Sequence, residues 1–79
     1  MNTKIKINLN DFTKAKKFIN EVVKFTSDID AIKDRYIVDA KSIVGIFTLD
    51  LSKPITVVIH SDDEEEIERF NKAMEEFTK

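Results

Sequence analysis

The chain has 79 residues, one histidine, no cysteine and a formal net charge of −2. That length makes one small domain, of a size that buries only about 60% of the surface its unfolded form exposes, and the absent thiols exclude a disulfide framework, a thiolate nucleophile and a cysteine zinc site. Hydrophobic residues at 42% beside charged residues at 35% describe a globular domain, and the mild acidity argues against a nucleic-acid surface.

The first segment, residues 3–9, alternates polar and apolar side chains, so Ile5, Ile7 and Leu9 share one face of a half-buried strand. Lys4 and Lys6 interrupt any leader-like apolar stretch, which makes the cytoplasm the expected compartment. Asn10 and Asp11 offer capping side chains. From Phe12 the apolar residues fall at Ala15, Phe18, Ile19, Val22 and Val23, predicting an amphipathic helix to about Phe25. Lys14, Lys16, Lys17 and Glu21 form its wet strip.

Ser27-Asp28 breaks that pattern. Residues 29–32 and 36–40 then read as a hairpin across Asp34-Arg35, without the glycine such a turn usually carries. Ser42 stands as a cap before Ile43-Val44-Gly45-Ile46-Phe47-Thr48-Leu49, a short helix weakened by Gly45 and its β-branched residues. Its apolar residues lie on nearly every side, so some have no core to face. Residues 50–54 form a loop and 55–59 a strand, whose Val57-Val58-Ile59 run is far too short to cross a bilayer. Ser61-Asp62-Asp63-Glu64 matches a capping box and starts a last helix with the stripe Ile67, Phe70, Met74 and Phe77. Its acidic run, residues 62–66, reads as a solvated helix start, not a metal site, since calcium loops need a glycine turn.

The order is thus β-α-β-β-α-β-α. It predicts one domain over residues 1–79, a two-layer α+β sandwich with an antiparallel sheet and helices on one face. No glycine-rich phosphate loop, catalytic triad or paired carboxylates appear, so no enzyme activity and no cofactor are expected.

Lys41-Ser42-Ile43-Val44-Gly45-Ile46-Phe47-Thr48-Leu49 resembles the Lys-Ser-Ile-Met-Gly-Val-Met-Ser-Leu segment of the HPr phosphocarrier proteins of the sugar phosphotransferase system, and the element order agrees along the chain. The resemblance implies strand order 1-4-2-3 with three helices on one face. It also implies a monomer whose partners are enzyme I, enzyme IIA, HPr kinase or a transcription regulator. In that family a Gly-x-His-Ala-Arg-Pro-Ala motif opens the first helix, and its histidine relays a phosphoryl group. Counted back from Ser42 without a gap, Asp11 takes the histidine's place, Thr13 the arginine's and Lys14 the proline's, while Ala15 alone is kept.

An HPr-like chain without the relay histidine is expected to act through protein contacts. The resemblance marks Ser42 as a regulatory phosphorylation site and Ile43, Val44 and Phe47 as a docking patch, with Lys41 beside it and Asp11, Thr13 and Lys14 across from it. Asp11 reads as a helix cap worth about 1 kcal/mol. His60 is expected at the opposite end of the sheet from Asp11. Two alternatives stand: a carrier that forms an acyl phosphate on Asp11, and an unrelated small α+β binding module.

Overall fold

The structure, a computed structural model, describes residues 3–79. Alternation lays β1 (Lys4–Ile7) with Ile7 wholly buried and Lys4 and Lys6 in water. β2 (Ile29–Lys33), β3 (Tyr36–Asp39) and β4 (Ile55–Ile59) complete a four-stranded antiparallel sheet in the order β1-β4-β2-β3. The central strand β4 pairs Ile55 with Ile7 and Val58 with Lys4 on one side, and Val57 with Ala31 on the other. Buried on all but one of its residues, it reads as an almost unbroken apolar run.

Three helices cover one face of this sheet, and α1 (Phe12–Val22), α2 (Ile43–Phe47) and α3 (Glu64–Met74) bury their stripes against it. In α1 the Asp11 carboxylate accepts the Lys14 backbone N–H at 2.7 Å, and Ala15, Phe18, Ile19 and Val22 fill the core. The helix stops at Val22, not at Phe25. Its last carbonyls are taken by tighter bonds, Lys24 N–H to Glu21 and Phe25 N–H to Val22, a 3₁₀-type closure common at helix ends. This turn leaves Val23 exposed and drops Phe25 edge-on against Phe70, ring centroids 5.8 Å apart. A 3₁₀ turn, Glu75–Phe77, follows α3 and sets Phe77 edge-on against Phe18 at 5.7 Å. The stripe Ile67, Phe70, Met74 and Phe77 is buried throughout.

The hairpin solves its missing glycine with Asp34, which adopts φ 56° at the first loop position. Aspartate tolerates that left-handed region better than most residues. Gly45 has a separate purpose: a Cβ there would stand 3.2 Å from the Val38 Cβ. The residue that weakens α2 as an isolated helix is the one that lets it lie close on β3.

Two expectations at the start of α3 need correction. The cap is Asp63, whose carboxylate accepts the Glu65 N–H at 3.0 Å, while the Ser61 hydroxyl, two residues earlier, accepts the Asp63 N–H. Glu66 is not solvated but only 4% exposed. Its carboxylate folds back onto the turn after α1, accepting from the Thr26 N–H and hydroxyl and the Ser27 N–H at 3.2 Å, and from the Ser27 hydroxyl. Hydrogen bonds from the Ser27 and Ser61 side chains hold its pKa down from 4.5 to about 2, because each donor favours the charged form.

A depressed carboxylate pKa stabilises the fold above the unfolded value and loses that contribution as pH falls toward the folded value. For Glu66 the window runs from 4.5 down to about 2. Urea midpoints measured across it are expected to fall more steeply in the wild type than in Glu66→Gln, so that the two converge near the acid end.

Candidate functional site

Two helix starts and the surface between them form the candidate site. Asp11 and Thr13 are exposed at the N-terminal turn of α1. Lys14 is half-buried, and its Nζ donates to the Lys79 carbonyl at 3.3 Å. On α2, Ser42 caps the helix by accepting the Gly45 N–H at 3.1 Å. Only Ile46 of α2 is buried. Ile43 is 48% exposed, Val44 73% and Phe47 39%, so the all-round apolar helix does leave part of itself in water. Lys41 faces elsewhere: its Nζ donates to the Phe25 carbonyl at 2.6 Å, tying the α2 start to the turn after α1.

The residue that sequence reasoning misplaced is Phe12. It lies on the apolar stripe of α1 by spacing, yet it is 62% exposed and stacks on Phe47 with centroids 5.2 Å apart and planes at 26°. At the first turn of α1 the stripe meets α2 instead of the core. Lys16 extends the arrangement, its ammonium 5.5 Å from the Phe12 ring centre, within cation–π range. Phe12, Thr13, Lys16, Lys17 and Asn20 line a shallow open hollow along this face. Lys17 also bridges to Glu76 at 2.8 Å, which raises its pKa through that hydrogen bond and charge. The one hint in the sequence was the pairing of an aromatic at the start of α1 with a helix apolar on every side. The surface is therefore aromatic and aliphatic at its centre with lysines along one flank.

His60 stands apart from all of this. Because β4 runs against β1, it follows Val58 past the Lys4 end, while Asp11 follows the Ile7 end. A five-residue strand is roughly 17 Å long, so the imidazole and the α1 start occupy opposite ends of the sheet. Its Nε2 lies 2.7 Å from Asp30 Oδ2, and its backbone N–H donates to the Asp28 carbonyl at 2.8 Å. Among the described residues, no cluster of three or more His, Asp or Glu side chains is arranged to hold a metal ion. No helix among them is long and apolar enough to cross a membrane.

A family model described as the phosphorylation site of the HPr component of the phosphotransferase system matches residues 12–79. The chain belongs to the HPr family. Solved structures agree: HPr-C-His from Thermoanaerobacter tengcongensis is 30% identical, with a TM-score of 0.73 over 95% of this chain and 92% of that one. The phosphocarrier protein HPr of Bacillus anthracis str. Ames is 27% identical, with a TM-score of 0.73 over 96% and 99%. No curated protein sequence matches significantly. Family membership removes the alternative of an unrelated α+β module and accounts for the strand order. The matched stretch opens at Phe12, directly after Asp11.

The Phe12–Phe47 stack joins two helices at an exposed site, where such pairs contribute about 0.5–1.5 kcal/mol beyond area burial. A double-mutant cycle of Phe12→Ala and Phe47→Ala, read from denaturant unfolding, is expected to return a coupling energy in that range. Each single variant should keep the native spectrum.

Proposed function

We propose that this chain serves the phosphotransferase system as a docking protein that does not relay phosphoryl groups. The observation that carries this reading is the placement of its single imidazole, paired with Asp30 at the far end of the sheet from the α1 start. In the register set by Lys41–Leu49, Asp11 takes the relay histidine's position, and its carboxylate already occupies the Lys14 N–H. An anion held by a helix start needs such free donors and a positive end. A fixed carboxylate there supplies neither. Among the described residues, Asp11 also belongs to no group of carboxylates able to hold the divalent metal that aspartyl phosphorylation sites use.

The docking surface is the exposed apolar group Ile43, Val44 and Phe47, extended across to α1 by Phe12 and flanked by Lys16 and Lys17. Contiguous apolar exposure of this kind on a small domain marks an interaction site. Its partners are proteins of the phosphotransferase system and its control: enzyme I, enzyme IIA, an HPr kinase or a transcription regulator. Phosphorylation of Ser42 would regulate docking by placing a dianion beside the patch.

Binding is measured by titrating the chain into each candidate partner. Val44→Lys and Phe47→Ala are expected to weaken the productive complex at least tenfold, while His60→Gln leaves it unchanged. Equal binding by the wild type and Val44→Lys overturns the assigned surface. Ser42→Asp separates capping from regulation, since Asp caps as well as Ser whereas Ser42→Ala costs about 1 kcal/mol. The regulatory reading expects Ser42→Asp to keep wild-type stability and to change partner affinity. An unchanged affinity leaves Ser42 as a cap alone.

A further inference from the structure

The family motif Gly-x-His-Ala-Arg-Pro-Ala carries alanine directly after its histidine, and in the register set by Lys41–Leu49 that place falls to Phe12. A large ring therefore stands beside Asp11 at the first turn of α1, 62% exposed. It has no room to turn inward, because Ala15, Phe18, Ile19 and Val22 already fill the core behind α1, and a close-packed interior does not admit another aromatic. From outside, Phe47 stacks on it with centroids 5.2 Å apart, and the Lys16 ammonium lies over it at 5.5 Å. Phe12 is thus a fixed projection of the surface.

We propose, on the reading that Asp11 stands at the relay position, that Phe12 is a specificity residue that shuts the relay enzymes out of this surface. That narrows its partners from the whole phosphotransferase system to the control proteins, an HPr kinase or a transcription regulator. Passing a phosphoryl group between two proteins needs the reacting atoms about 3–3.5 Å apart. An enzyme that charges a relay histidine must therefore close onto the residue beside it. Where that residue is alanine, the enzyme surface can approach the helix backbone. A phenyl ring in its place holds the same surface off, and a clash built against the wrong partner discriminates as well as a contact made to the right one.

The partner that fits has an apolar recess for the ring and a carboxylate at its rim. Lys16 sets the second requirement. Lys17 and Lys24 are already bridged to Glu76 and Glu21 at 2.8 Å, whereas among the described residues Lys16 has the Phe12 ring and no acidic partner. An aromatic side chain held in place before binding loses little freedom on entering such a recess.

Calorimetric titration of the intact chain into enzyme I without phosphoenolpyruvate, beside an active HPr protein as control, tests the exclusion. Phe12→Ala is expected to bind enzyme I about tenfold or more tightly than the wild type, with Phe12→Leu between them. Phe12→Tyr keeps the ring and should stay with the wild type. Asp11→Asn should gain less than Phe12→Ala, which separates the ring from the neighbouring charge. All four variants should keep the native amide spectrum, since neither side chain lies in the core. The exclusion is overturned if Phe12→Ala binds no more tightly than the wild type, or if Phe12→Tyr or Asp11→Asn gains as much. Against the HPr kinase and the transcription regulator the order reverses, and Phe12→Ala and Lys16→Glu are expected to bind about tenfold more weakly than the wild type. Control-protein binding that both substitutions leave unchanged overturns the recess. Wild-type binding to neither control protein, or a wild type that gains a phosphoryl group from enzyme I and phosphoenolpyruvate, sinks the docking reading itself and the exclusion with it.

Discussion

The antiparallel pairing of β1 with β4 is the constraint on which the functional reading rests. It sets Ile7 against Ile55 and Lys4 against Val58, and so sends the chain out of β1 toward α1 at one end and out of β4 toward α3 at the other. Slipping the register by one residue would turn Ile7, Val57 and Ile59 out of the core, so the pairing is held by burial along the whole strand. As a result the chain's imidazole and the start of α1 are fixed at opposite ends of the sheet. No side-chain rotation closes that gap.

A second constraint positions the proposed docking surface. α2 is a single short turn of helix that has little stability alone. Ser42 caps it, Lys41 ties its start to the Phe25 carbonyl, Ile46 anchors it, and Gly45 lets it approach Val38. With those four residues committed to the fold, Ile43 and Val44 are left facing water and Phe47 is left to stack on Phe12. The resemblance placed all of these in one motif. The structure divides the motif between residues that seat the helix and residues that the helix presents.

Much of this was legible beforehand because the periodicities are clean. Ile5 and Ile7 alternate at period two, and Ile67, Phe70, Met74 and Phe77 recur at helical spacing, so strand and helix follow from the pattern. Strand order came from the family resemblance instead, since periodicity says nothing about which strands neighbour. The failures share one cause: local spacing does not know where the core ends. Phe12 satisfied the stripe of α1 but lies at its first turn, where α2 and not the sheet is the neighbour. Val23 satisfied it beyond the last full turn. Glu66 looked like one carboxylate in a solvated run until the turn at Thr26 and Ser27, distant in sequence, supplied its donors.

The central claim is that neither Asp11 nor His60 takes part in phosphoryl relay. Its most direct test is the intact mass of the chain after incubation with enzyme I and phosphoenolpyruvate, beside an active HPr protein as control. The account predicts that the control gains a phosphoryl group and this chain gains none. A gain in mass that disappears in Asp11→Asn, or in His60→Gln, would contradict it.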